Sequence, residues 1–509
     1  MRIFFIVAIF VLIIACINFM NLSTAQAGKR AKEVGLRKVI GAVPRQLFRQ
    51  FMGESFITVV VAAIFAVVVA ALVIPSFNEL TGKSLSLNLL DVKIISIFIG
   101  LILVTSLLAG AYPAIFIADF KPVQVLKGQL KSGKRASVFR KTLVVVQFVL
   151  SIFLIVSTIV VYRQMDYMQT RDIGFVRENL FYSWMQGDMA SHYETIRTRL
   201  LQNPAVESVT SSDQTPIQVG NSTGGISWQG KDPNFQLLFS NMRVDFDFAQ
   251  TLQMTIVEGR AFDRNIASDS VSFIVNEKAA EKMGFTDGTA GKELEVQGRK
   301  GKLVGVVKDF NFQSLHAPID PFIMAVDAKP QFGDIIVRAK EGRSAEAIAA
   351  LETLAKEYAP QYPYHYSFIN QDWDNYYKAE GQRGQVFNVL SGLSIIISCL
   401  GLFGLSAYSA ERRIKELGIR KVMGATVPAL LRLMATEFTI LVIIAAAIGC
   451  PVAWYAMNLW LEGYAFHISV GWLTLAVATL ICLFVSLGTI LYHSLKATMT
   501  NPAISLRYE

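Results

Sequence analysis

Lys32, Glu33, Val34, Gly35, Leu36, Arg37, Lys38, Val39, Ile40, Gly41, Ala42 returns near the other end of the chain as Lys415, Glu416, Leu417, Gly418, Ile419, Arg420, Lys421, Val422, Met423, Gly424, Ala425. Both copies stand between long apolar runs, so one charged element occurs twice, beside a membrane, in two copies of one module. A self-match of this kind sets the architecture before local reading begins. A charged element held between two spans reads most simply as a docking site for something soluble.

Composition points the same way. The chain is 53% hydrophobic and 17% charged, with 34 Phe among 509 residues, more than a soluble core needs. Crossing a bilayer takes about 20 helical residues. Apolar runs of that length fall at about 3–22, 55–76, 93–117, 142–162, 385–409, 434–458 and 470–493, which makes seven candidate spans. The stretch 164–382 has no such run and alternates apolar with polar residues, as a folded extramembrane domain does.

Basic residues set the orientation, because short loops rich in Lys and Arg stay cytoplasmic. The loop after the first span carries Lys29, Arg30, Lys32, Arg37, Lys38, Arg45 and Arg49 against Glu33. The loop after the third carries seven Lys and Arg from Lys121 to Lys141 against Asp119, and Arg412–Arg432 is likewise basic. The connections Glu79–Asp91 and Glu462–His467 are poor in positive charge and belong outside. Threaded this way, 164–382 lies on the outer face and the C-terminus inside. The net charge of +9 is then mainly a topology signal, and nucleic acid is excluded as a partner because the basic clusters sit between spans.

Cys16, Cys399, Cys450 and Cys482 all fall in predicted spans, which leaves no disulfide framework or zinc spacing and fits small apolar packing. Met1 and Arg2 lead straight into apolar sequence without a small-residue cleavage pattern, so the first run is read as a retained helix. Aligning the copies places Glu54 on Glu437 and, after a three-residue gap, Tyr112 on Tyr492 and Lys121, Pro122, Val123 and Leu126 on Asn501, Pro502, Ala503 and Leu506. Each module is therefore three spans and a closing cytoplasmic segment. The second is preceded by the run 142–162 and by the outer domain and the first by neither, which reads either as an asymmetric gene or, the reading favoured here, as a truncated or split product.

Glu33 precedes Arg37 by four residues, a helical spacing, and Gly35 and Gly41 are read as places where backbone meets a partner closely. Anchoring at lipid headgroups explains charge in such a loop, but not the same residue order twice. The predicted coupling residues are Lys32, Glu33, Gly35, Arg37, Lys38, Gly41, Lys415, Glu416, Gly418, Arg420, Lys421 and Gly424.

With its following span, the element resembles the FtsX-like permease domain of MacB- and LolC/LolE-type ABC transporters. The outer domain resembles the MacB-type periplasmic core domain through Val244–Phe248, Glu258, Gly259 and Arg260, Val275, Asn276 and Glu277, and Val304–Phe312. The resemblance implies an α-helical integral membrane protein of about seven spans with one α/β extracytoplasmic domain. It divides the chain into 1–128, a first module lacking its N-terminal part; 129–163, a cytoplasmic linker and leading span; 164–382, a periplasmic core domain with stalk helices; and 383–509, the second module. The family's double-module form has eight spans and two outer domains. It implies a mechanotransmission permease of the bacterial inner membrane, non-catalytic itself, whose partner ATPase dimer binds ATP and Mg. A periplasmic adaptor, a cargo protein, a missing N-terminal fragment and membrane lipid are the other implied partners.

The residues themselves agree in part. Sequence from 158 to 172 and from 374 to 390 continues the flanking spans with polar, helix-compatible residues, as a paired stalk does. Ionisable groups are nearly absent at mid-span, against an ion-coupled carrier, and the matched Glu54 and Glu437 suit a structural role. In the outer domain, Phe273–Asn276, Lys302–Lys308 and Asp334–Ala339 read as strands. Met189–Gln202, Glu277–Met283 and Ser344–Tyr358 read as helices, the last capped by Ser344, and Gly220–Gly225 as a flexible loop. His192, His316 and His365 are scattered and form no catalytic motif, and Asp309 suits a turn. Thr81, Gly82, Lys83, Ser84 ends like a phosphate loop, but Phe77 occupies the first glycine's place, and Gly291, Lys292, Glu293 fails at its last position. A cofactor in this chain is accordingly not expected. The alternative class is a membrane-anchored sensor or scaffold regulating an envelope enzyme, and no residue of 164–382 selects a cargo.

Overall fold

The computed structural model describes residues 2–82, 84–88, 90–118, 134–232, 234, 237–285, 288–412 and 419–499. Described residues within 1–165, 380–461 and 469–509 form one compact unit, and those within 166–379 and 462–468 form another. Four long helices open the chain: α1 (Arg2–Val39), α2 (Pro44–Thr81), α3 (Val92–Ala118) and α4 (Lys134–Thr170). The shorter α5 (Tyr193–Leu201), α6 (Phe248–Thr251), α7 (Glu277–Lys282) and α8 (Ser344–Tyr358) follow among strands. Three long helices close it: α9 (Ile369–Arg412), α10 (Val427–Leu461) and α11 (Trp472–Met499). Among the described residues seven helices are long and apolar enough to cross a membrane, and they coincide with the seven predicted runs.

In the helical unit α4 is the most enclosed of these spans, with most of its apolar window buried. Val7 and Ile14 of α1 close on Leu154 of α4, with Phe10, Phe153, Leu390 and Ile397 packed around them. Water is absent from a bilayer core, so the side chains between spans find their partners in one another. The Ser151 hydroxyl shares a 2.8 Å hydrogen bond with Ser398, Thr158 shares one with Ser391, and Ser391 also donates to the Leu154 carbonyl. Asn18 of α1 donates to the Ile397 carbonyl of α9 at 3.4 Å. A Cβ at Gly449 of α10 would meet the Val149 backbone of α4 at 3.3 Å, so the bare glycine lets the two helices touch.

The α/β unit carries β1 (Leu180–Trp184), β2 (Val206–Ser212), β3 (Ser222–Thr223), β4 (Ile226–Trp228), β5 (Phe239–Val244), β6 (Ile256–Gly259), β7 (Phe273–Asn276), β8 (Glu293–Val296), β9 (Arg299–Val307), β10 (Phe322–Val326), β11 (Asp334–Ala339) and β12 (Ser367–Phe368). They run in the order β12-β1-β11-β2-β5-β10-β7-β9-β8-β4, with β3 on β5 and β6 on β9. Pairs β5–β10 and β7–β9 are parallel and the others antiparallel. One core lies under β1, β2 and β11, where α5 and α8 lay Ile196, Leu200, Leu351 and Leu354 onto Phe181, Ile335 and Val337. A second lies under β7 and β9, where α7 sets Ala279 and Ala280 against Phe273, Val275 and Leu303. The buried Asp245 is paired: it accepts from the Tyr193 hydroxyl at 2.6 Å and from Arg264 at 2.6 and 2.7 Å.

Three local readings are corrected. Ser344 is the first helical residue of α8 rather than its cap; Arg343 holds the cap position and makes no capping bond from its side chain. The Gly220–Gly225 stretch contains β3, whose Ser222 and Thr223 pair with Ser240 and Phe239. The helix expected from Met189 begins at Tyr193, after a single 3₁₀ turn at Gly187–Met189.

The α10–α11 connection packs into the α/β unit. The Ala465 and Phe466 N–H groups donate to the His316 and Leu315 carbonyls, His316 stacks on Tyr464 at 4.3 Å, and Arg171 lies 4.0 Å over the Phe466 ring. Glu462–His467 and the α/β domain thus share one side, as the charge reading requires. The first turns of α9 are set in the same unit: Ile369, Trp373 and Tyr377, four residues apart, are buried, and the Tyr377 hydroxyl accepts from the Leu315 N–H at 2.9 Å. Both α4 and α9 continue unbroken past the limits of this unit.

Candidate coupling site

The repeated element is the last two turns of α1 rather than a separate short helix. Its apolar face is buried, Val34 packing against Leu47 and Phe51 of α2 and Ala114 of α3. Glu33 and Arg37 pair at 2.6 Å on the exposed face. Arg37 also donates to Gln50 Oε1 at 2.7 Å, and Gln50 donates to Glu54 at 3.2 Å, so the charged row braces α1 onto the start of α2. Such an exposed pair is worth under about 1 kcal/mol in water.

The glycine at the end of each copy has a backbone role. Gly41 has φ +106° and Gly424 has φ +93°. The Ala42 N–H donates to the Arg37 carbonyl and the Gly41 N–H to the Lys38 carbonyl. In the second copy Ala425 bonds to Arg420 and Gly424 to Lys421 in the same way. This is the Schellman closure, which needs a left-handed residue just past the helix end and favours basic residues in the last turn. Nothing stands within 4 Å of a Cβ built at either glycine. Within the chain it is the positive φ, and not packing, that calls for glycine at Gly41 and Gly424. Gly35 is buried beside Val34.

Charge drew attention to this element, but the turn exposes something else. Leu36, Val39 and Ile40 stand out from the first tip, with Ile40 78% exposed; the matched Ile419, Val422 and Met423 stand out from the second, with Met423 83% exposed. Each tip thus presents an apolar cluster, and in the first copy the Glu33–Arg37 pair and Gln50 lie alongside it. Composition hides these residues, since any span end supplies Ile and Val. Lys32 lies in α1. Lys415, Glu416 and Gly418 lie outside the described residues, as do Lys121–Leu126 and Asn501–Leu506 of the repeat alignment. Glu437, matched to Glu54, pairs with Lys141 of α4 at 2.9 Å. No group of three or more metal-ligating side chains occurs among the described residues.

The FtsX-like permease C-terminal family matches residues 5–122 and again 388–502, and the MacB-like periplasmic core domain matches 143–354. The chain belongs to the MacB-like ABC transporter permeases. This MacB-like permease is a multi-pass membrane protein with a periplasmic domain. It is 23% identical over 263 residues to the macrolide export ATP-binding/permease protein MacB of Chromobacterium violaceum, a match of 48% of this chain and 40% of that protein. It is 21% identical over 274 residues to the uncharacterized ABC transporter permease YknZ of Bacillus subtilis, 50% of this chain and 66% of that one. The periplasmic region of MacB from Actinobacillus actinomycetemcomitans is similar at 13% identity and a TM-score of 0.30, over 41% of this chain and 97% of that one. The chain spans less than half the length of the Chromobacterium protein it matches.

Proposed function

We propose that this permease couples ATP hydrolysis by a separate cytoplasmic ABC ATPase to movement of its own periplasmic domain. The two tips each enter a groove on one subunit of an ATPase dimer. The observation that carries this reading is the pair of matched apolar tips, each closed by the same glycine turn; exposed apolar clusters of this kind mark interaction sites. Because the first element is the end of the long helix α1, a push at that tip is delivered to the span itself. Helices α4 and α9 then pass the motion outward, since both run unbroken out of the membrane-spanning stretch. The chain sits in the inner membrane with its C-terminus cytoplasmic. ATP and Mg bind the partner, and this chain performs no chemistry of its own. The cargo class is a peptide, a lipoprotein or a drug-like molecule exported or extracted from the membrane.

Co-purification with the ATPase and measurement of its turnover test this. Arg37→Glu with Arg420→Glu, and separately Ile40→Asp with Met423→Asp, are expected to abolish both. Retention of association and turnover in both double variants overturns the docking reading and leaves the anchored sensor or scaffold.

A further inference from the structure

The register that lays Lys32 on Lys415 also runs back along the preceding helices. It carries Val7 of α1 onto Leu390 of α9, Ile14 onto Ile397, Asn18 onto Gly401 and Asn21 onto Gly404. Val7, Ile14, Leu390 and Ile397 belong to one apolar cluster. Equivalent residues come together where two copies face each other about a twofold, so α1 and α9 pack across a local pseudo-twofold axis. At the next two equivalent positions the helices differ. A Cβ built at Gly401 would meet Asn18 Oδ1 at 2.7 Å, and one at Gly404 would meet Leu22 Cδ1 at 2.8 Å. Each glycine is thus a notch in α9 filled by a side chain of α1, and Asn18 is held there by its 3.4 Å hydrogen bond to the Ile397 carbonyl.

We propose that these knobs and notches make α1 and α9 of one chain obligate partners, so that a single chain supplies both halves of the permease and does not pair with a second copy through these helices. Helices in a bilayer gain nothing from leaving water, so close approach at small residues and interhelical hydrogen bonds decide which of them associate. Pairing α1 with the α1 of another copy sets Asn18 against Asn18, where at the present spacing a single added carbon already lacks room. Pairing α9 with α9 sets glycine against glycine and leaves both notches empty, which forfeits packing. The mixed pair alone fills the interface, and it combines an attractive fit to the right partner with a clash against the wrong one. The inference does not depend on how the tips engage an ATPase.

The full chain is co-expressed with two different affinity tags, purified in detergent micelles and weighed by native mass spectrometry. The wild type is expected to be monomeric, with neither tag capturing the other copy. Thermal midpoints are then compared for Asn18→Gly, Gly401→Asn and the exchange of the two residues in one chain. Gly401→Asn is expected to lower the midpoint most. The exchange is expected to regain more than half of that loss, because the knob then stands on α9 and the notch on α1; the side-chain end of Gln147, 3.2 Å from the Gly401 Cβ position, shifts to admit it. If Gly401→Asn gives no folded protein, a folded exchange variant is the expected rescue and an unfolded one refutes the proposal. Independent packing roles make the two single losses add in the exchange. That additive result, or capture of a second copy by the wild type, overturns the proposal.

Discussion

Gly41 and Gly424 are the residues where repeat and backbone geometry meet, because a side chain at positive φ costs about 1 to 2 kcal/mol even where space is open. Gly41→Ala and Gly424→Ala are each expected to destabilise the helical unit by that amount, read as a lower thermal midpoint in detergent, and without any steric clash. An equal stability for Gly41→Ala would show that the turn tolerates a side chain. Asp334 offers a test by pH. Burial pushes its carboxyl up to about 6, with Asp372 adding and the 2.8 Å hydrogen bond from Thr215 opposing. The folded value lies above the unfolded one, so this group's contribution is full below about pH 4 and is lost as pH rises through 6. The charged form costs about 3 kcal/mol at neutral pH by that difference. Asp334→Asn is therefore expected to stabilise the α/β unit at pH 7 and to make no such gain at pH 4; equal effects at the two pH values would rule the assignment out. Neither property is visible in the residue types: Gly41 was legible as special through its repetition, but its reason lies in φ, and Asp334 reads as an ordinary strand-edge acid until its burial is known.

At the scale of elements, the hydroxyls between α4 and α9 act as a shared polar seam. Interhelical hydrogen bonds in membranes average about 0.6 kcal/mol. Replacing Ser391 and Ser398 together by Ala is expected to cost about 1 kcal/mol, read by unfolding in detergent, with no effect marking the seam as incidental. Tyr377→Phe acts at the other end of α9. It leaves the Leu315 N–H buried and unpaired, at a cost of about 1 to 3 kcal/mol in the outer domain. The strands β7 and β11 were legible as short apolar runs rich in Ile and Val, buried on both faces, and the helix α8 from its helical periodicity. The cap of α8 and the strand β3 were not, since Ser344 suits a cap or a first turn equally and β3 exists only through its pairing with β5.

For the whole molecule, the α10–α11 connection is a part of the outer domain rather than a simple link between spans. Exchanging 462–468 for a Gly–Ser linker removes two backbone hydrogen bonds, the His316–Tyr464 stack and the Arg171–Phe466 contact. A loss of about 2 to 3 kcal/mol in outer-domain stability is expected from contacts worth about 1 kcal/mol each. Unchanged protease resistance of that domain would contradict it. The sequence by itself determined the duplicated module, the seven spans and the α/β character of the outer domain. These follow from local properties: hydropathy over a helix length, short strand-like and helix-like stretches, and residue order. Only the tertiary structure decided which residues of the repeated element are buried, that its tip is apolar, that Arg37 is occupied by Glu33 and Gln50, and that two distant stretches of chain build one outer domain. Each of these depends on which surfaces meet across long separations in the chain, and residue type alone carries no record of that.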